Sequence, residues 1–334
     1  MAPSNMYIVP GGAGLKNGTS WANAFSLVEW EVDIEGSAEA GDKYFVKEGT
    51  YTLTSDIYSA KNGTVANNIK ITGVKAATVN EPPVASDYAV EDERPYIDAG
   101  ASRRFQLTHY WDVRNMRFKK GGNAISTYAM RLDTGGYCIN CKFENTTTGI
   151  GDSWGLYNKG GGGNTVLKNC EFICTKGFGV SMELTKAFFC YSHNSRVGYQ
   201  IDAYACIVAY CIAANCTESG IYIPETSQLI INNCTIDTCV IGIDNENGAT
   251  TSILSFFNNI ISNNTSFGIN FDVGAVGCYG DYNHYYNNGA DVNNVTKGAN
   301  DTAGDPKFKT PGSDFELDTG SPCLDAGMSI TLGV

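Results

Sequence analysis

Five acids stand at the end of one recurring pattern: glycine, apolar, any residue, apolar, acid. The copies are Gly179-Val-Ser-Met-Glu183, Gly198-Tyr-Gln-Ile-Asp202, Gly220-Ile-Tyr-Ile-Pro224 with Glu225 one later, Gly242-Ile-Asp-Asn-Glu246 and Gly268-Ile-Asn-Phe-Asp272. If the copies stack, Glu183, Asp202, Glu225, Glu246 and Asp272 form a column of carboxylates about 5 Å apart between neighbours and about 10 Å between alternate copies. Those separations resemble the carboxyl spacings of retaining and inverting glycosidases, so Asp202, Glu225, Glu246 and Glu183 are the catalytic candidates if the chain is an enzyme. Carboxylate oxygens at such spacing also suit calcium, which takes six to eight, with Asp202, Glu225 and Glu246 as ligands. The plainer alternative is that acids favour a solvated turn and keep the surface soluble. Tyr222, Asp244 and Asp272 in the same copies, with Tyr282 and Tyr285 further on, are the candidates for contacting a glycan, because aromatic faces and carboxylates suit sugars. For these tyrosines, burial in a core or an interface is the competing role.

The elements that would position these residues follow from the spacing. The five glycines lie 19, 22, 22 and 26 residues apart, and a second set of anchors, Cys170, Cys190, Cys211, Cys234 and Asn259, lies 20, 21, 23 and 25 apart. A period near 22 with alternating apolar residues marks one supersecondary unit repeated many times. Helical repeats need apolar residues three and four apart, and leucine-rich repeats need a leucine scaffold; neither is present. A coil of three short strands joined by Asn/Gly/Ser/Thr turns fits. The fold expected is all-β, a single right-handed parallel β-helix with three strands per coil. Cys141, Cys170, Cys190, Cys211 and Cys234 form an interior column, with Met116 below and Asn259 above.

Residues 1–55 are expected to be an N-terminal cap and first strand with a short helix beginning near Trp21. Residues 56–300 are the coils, and residues 301–334 close the solenoid. The run Gly160–Gly163 reads as a turn. With 334 residues, 38 glycines and 17% charged residues, the chain can hold a large core. Its net charge of −12 argues against nucleic acid as a partner, and no 18-residue apolar run exists to cross a membrane. The first residues have neither the basic nor the apolar region of a secretory signal. Five of twelve cysteines recur at one repeat position, where they serve as small buried apolar groups; strand geometry disfavours bridging them, which points to thiols and a reducing cytosol.

At both ends the chain resembles a known group. Tyr7-Ile-Val9, Asn17-Gly-Thr-Ser-Trp21-Ala-Asn-Ala-Phe25, Gly41-Asp42 and Gly49-Thr-Tyr51 look like the opening of pectate-lyase-like β-helix proteins of bacteria and phages. Gly320-Ser-Pro-Cys-Leu-Asp-Ala-Gly327 is similar to the Ser-Pro-x-x-Asp-Ala-Gly motif that closes the same group, with Cys323 where the group usually has Ala. The resemblance implies the fold well and the activity poorly, since this fold hosts lyases, hydrolases, adhesins and virion spikes. Lyases of the group use Lys or Arg as the base, with calcium or a neutralised acid holding the uronate. Residues 197–296 contain no Lys or Arg but nine acids, which would repel an anionic substrate. Arg131, Lys159, Lys168, Lys176, Lys186 and Arg196 lie earlier; Lys186 or Arg196 beside Glu183 and Asp202 is the best lyase constellation. His193 is a further acid/base candidate, and Cys138, Cys141, Cys170 and Cys174 superficially match a zinc site.

Two function classes emerge. The one preferred is a virion surface protein of a phage, a capsid or tail decoration or spike, assembled in the host cytoplasm. It would be non-enzymatic, without cofactor, and possess a host-glycan surface. Its partners would be further copies of itself, a trimer on the pattern of the virion proteins it resembles, and other virion proteins. The alternative is a polysaccharide-degrading enzyme, a glycoside hydrolase of neutral glycan before a uronate lyase. A secreted, extracellular adhesin is the third option.

Overall fold

The computed structural model describes residues 3–122, 127–149, 152–159, 164–224, 227–246, 253–272 and 277–329. Glu225 and the Gly160–Gly163 run fall outside them. The chain divides into two compact units, Met1–Val180 and Ser181–Val334. Each consists of short strands stacked in parallel, and the fold is a right-handed parallel β-helix.

In the first unit the strand Asn5–Ile8 pairs with Lys43–Lys47, which pairs with Ile69–Val74, then Phe105–Arg114, then Tyr128–Ile139. No seam separates residues 1–55 from the coils, because Thr50–Thr52 already pairs with Tyr96–Asp98. Trp21–Asn23 is only a turn of 3₁₀ helix; the α-helix is Leu27–Gly36. Its start is set by a capping box in which Glu29 accepts the backbone N–H of Ser26 at 3.0 Å.

In the second unit Tyr191–His193, Ile212–Ala214, Thr235–Asp237, Ile260–Ser262 and His284–Tyr286 stack in register. That register aligns the preceding residues Cys190, Cys211, Cys234, Asn259 and Asn283; in the first unit it aligns Met116, Cys141 and Cys170 in the same way. All twelve cysteines carry thiols, ten of them buried. Cysteine and asparagine interchange in this column because both reach a carbonyl of the coil beneath. Cys211 Sγ lies 3.5 Å from the Ala187 oxygen and Cys234 Sγ 3.4 Å from that of Val208, while Asn259 and Asn283 donate to Ile231 and Phe256 at 3.0 and 3.1 Å. A left-handed residue precedes each member, among them Tyr210, Asn233, Asn258 and Tyr282. It turns the corner that carries the chain into the next strand.

A second ladder of the same kind runs one strand later through Cys239, Asn264 and Asn288, with Cys239 N–H donating to Asn264 Oδ1 at 3.1 Å. The repeated glycines have a steric cause. A Cβ on Gly198, Gly220 or Gly242 would meet the carbonyl oxygen of the glycine one coil on at 2.5, 2.8 and 2.4 Å.

Candidate functional site

The recurring acids sit on the sheet formed by Val197–Ala209, Ser219–Ile223, Ile241–Asn245, Phe267–Phe271 and Ala290–Asn293. Tyr199, Ile221, Ile243 and Ile269 are the buried members of these strands and fill the core. The next residue in each faces outward, and the register stacks Gln200, Tyr222, Asp244, Asn270 and Asn293 one above another. These are the variable positions of the sequence pattern, and all are polar. The acids come two residues later.

Gln200 pairs with Tyr222 ahead of the turn and Tyr204 with Ser227 after it, so this coil holds one extra residue, and Glu225 falls outside the described residues. Asp202 and Glu246 are two coils apart, about 10 Å, and Glu246 and Asp272 are direct neighbours, about 5 Å. The extra residue in this coil was visible in the sequence, where the acid came one position late.

Two carboxylates of the column take hydroxyl donors. Ser181 Oγ donates to Asp202, and the Tyr222 hydroxyl donates to Glu246. Asp244 accepts from Ser219 Oγ at 3.3 Å and from Asn270 Nδ2 at 2.9 Å, and Asn293 Nδ2 continues the chain to Asn270 Oδ1 at 2.8 Å. Burial raises the Asp244 carboxyl above the ordinary carboxylate range; its two donors work against that, and the charges of Glu246 and Asp272 add to it. The Tyr222 hydroxyl is raised too, first by burial and then by Glu246. Ser181, Ser219, Asn270 and Asn293 thus join the site. Ser181 and Asn270 carry one sequence signal, a polar residue at the pattern's free position; Ser219, ahead of Gly220, and Asn293, outside the five copies, lack it.

Several expected residues do not join it. Tyr285 occupies the inward position of Ile236 and Ile261 and is 1% exposed, so it is core and cannot touch a glycan. Tyr282 turns a corner at φ 58°, in the place of Asn258. His193 lies on the other sheet and stacks on Tyr191 with ring centroids 4.2 Å apart, away from the acids. Arg196 reaches Glu218 at 3.1 Å rather than Glu183 or Asp202, and Lys186 stands on the separate strand Thr185–Phe188. Among the described residues no group of three His, Cys, Asp or Glu side chains can hold a metal, so the cysteine quartet does not fit an ion; Glu225 of the calcium trio lies outside them.

No family model matches the sequence, and no curated protein matches it. Among solved structures, pectate lyase Pel9A superposes with a TM-score of 0.69 over 99% of this chain and 93% of that one, at 14% identity. The fold is the pectate-lyase-like β-helix. A protein of Geobacillus virus E2, ORF18, matches with a TM-score of 0.50 over 87% of this chain and 60% of that one, at 14% identity. The Dettilon tailspike protein matches with a TM-score of 0.48, 91% and 63% coverage and 13% identity. At such identities the pectate-lyase-like likeness carries backbone and not chemistry. What the outer column can do rests on its own side chains: acceptors and amides held by one another, with a tyrosine ring beside them.

Proposed function

We infer that this chain is a glycan-binding β-helix of a phage virion surface, which holds a neutral sugar on the outer column of the second unit and does not cut it. The observation that carries this is the mutual pairing of the column, Tyr222 with Glu246 and Asp244 with Asn270 and Asn293, in a segment without Lys or Arg. Such a surface presents the Glu246 carboxylate and the Asn293 amide to sugar hydroxyls and the aromatic face of Tyr222 to a pyranose, with the buried Asp244 and Asn270 bracing the column. A uronate would meet only negative charge there. The viral origin of ORF18 supports the virion assignment, and self-association as a trimer belongs to it.

A glycan array with the full chain, followed by incubation of the hits, tests this. Binding of a neutral oligosaccharide that weakens about tenfold in Tyr222→Ala, with no new reducing ends, supports it. Release of reducing ends, abolished by Asp202→Asn or Glu246→Gln, replaces it with the hydrolase reading. One observation favours that second reading: burial raises the Asp244 carboxyl beside Glu246 and Asp272, the direction a general acid needs.

A further inference from the structure

The charge of the chain is unevenly divided. Residues 1–180 carry 18 Lys and Arg against 19 Asp and Glu, and residues 181–334 carry five against 16. Basic groups in the first unit gather at one open depression, lined by Lys43, Lys70, Asn67, Asn68, Arg114 and Tyr137 among others. The register explains the gathering, because Lys43, Lys70, Asp112 and Tyr137 stand in one outward column on four successive strands.

The charges in this column are not equivalent. Asp112 is buried, and its two oxygens take Arg114 Nε at 2.7 Å and Nη2 at 2.8 Å. That bidentate pair uses up both the acid and the guanidinium fork. Asp42, next to Lys43, is also buried and accepts the backbone N–H groups of Ser4 and Glu39, each at 2.8 Å. Among the described residues no carboxylate pairs with Lys43 or Lys70. The two lysines therefore leave the sheet about 5 Å apart along the column, with the Asn67–Asn68 loop beside them and Tyr137, 41% exposed, at the far side.

We propose that this depression binds a phosphodiester-bearing polyol or glycan, with the phosphate between Lys43 and Lys70 and the polyol or sugar unit against Tyr137. The choice of phosphate over carboxylate follows from the donors. A planar carboxylate is best read by a guanidinium fork, and the one at this site is occupied by Asp112. Paired point charges suit a tetrahedral phosphate, whose oxygens spread in several directions. Long nucleic acid is disfavoured, because a chain of net charge −12 repels an extended polyanion, whereas one or two phosphodiesters of a short oligomer can engage the two lysines alone. The site is independent of the neutral-glycan column, so either can fail without the other.

The test is calorimetric titration of the full chain with a short poly(glycerol phosphate) oligomer, beside an oligogalacturonate of equal charge and a neutral oligosaccharide. The expected result is binding of the phosphate oligomer that weakens with added salt and falls about tenfold in the Lys43→Gln/Lys70→Gln double variant. Lys176→Gln, which removes an exposed lysine outside the depression, leaves it unchanged. Tyr137→Ala lowers affinity without changing the salt dependence. Lys43 is exposed and Lys70 only half-buried, so the double variant keeps its melting temperature. Equal or tighter binding of the oligogalacturonate overturns the proposal, as does a phosphate affinity unmoved by the double variant, or no binding at all.

Discussion

Asn259 sits directly above Cys234: its Oδ1 accepts the Cys234 N–H at 3.0 Å, while its Nδ2 donates to the Ile231 carbonyl at 3.0 Å. One side chain thus satisfies two buried backbone groups that belong to different strands. Asn259→Ala strands both and is expected to cost about 2–4 kcal/mol, each orphaned group contributing about 1–2. Asn259→Cys restores a weaker version of both contacts, on the pattern of Cys211 and Cys234, and is expected to cost less than half as much. Urea unfolding of the two variants checks the order; equal costs would mean that the amide only fills space.

The closing segment gives a second expectation. Its hairpin, Phe308–Thr310 with Asp314–Leu317, places Phe315 against Phe308 at 5.2 Å and Tyr191 at 6.3 Å, and Asn215 donates to the Gly312 carbonyl at 3.0 Å. These are few contacts for a segment this long, so Phe315→Ala should open the hairpin locally rather than unfold the chain. Limited proteolysis is expected to cut between residues 306 and 320 several times faster, with the main melting transition moved by less than a few degrees.

The period was legible because a parallel coil must return each residue type to one place, so Tyr199, Ile221, Ile243 and Ile269 announce the core by spacing alone. The cysteine column was legible for the same reason. The second ladder through Cys239, Asn264 and Asn288 was not, although it bears the same mark, a left-handed residue followed by Cys or Asn. Asn259 was legible from the cysteines spaced below it, whereas Asn264 and Asn288 read as ordinary turn residues. Around Pro224 one inserted residue shifts the register, and sequence spacing cannot say which of two adjacent residues keeps its place. Tyr285 misled because an aromatic among asparagines looks exposed, whereas strand parity turned it inward.

Asp244 gives a pH-dependent expectation. Its folded carboxyl titrates above the ordinary unfolded value of about 3.9, so as pH rises through that range the unfolded chain loses its proton first. Ionising Asp244 therefore subtracts stability, fully so once pH exceeds the folded value, and contributes nothing below the unfolded one. Asp244→Asn is expected to raise the melting temperature at pH 7, and the gain should vanish toward about pH 3.5. A gain independent of pH would assign the effect to hydrogen bonding with Ser219 and Asn270 instead.

The glycine column makes the most demanding prediction, because the reason for these residues is contact and not backbone angle. Gly242 has no left-handed φ, yet its missing Cβ leaves room for the Gly268 carbonyl, which a methyl group would approach to 2.4 Å, with Asn264 Nδ2 at 3.1 Å on the other side. Both obstacles are fixed, one by the strand ladder and the other by its bond to Asn288. Gly242→Ala must then push two coils apart at a place where Asp244 and Asn270 meet across them, and overpacking of this kind costs about 1–3 kcal/mol. The same shift should weaken whatever sugar the outer column holds, although Gly242 itself does not face it. Gly36→Ala is the control: a methyl group there would have no atom within 4 Å, and Gly36 ends a helix, so the change should be near neutral. Melting temperatures of the two variants and glycan affinity of Gly242→Ala decide the matter; a neutral Gly242→Ala would show that the coils are free to slide.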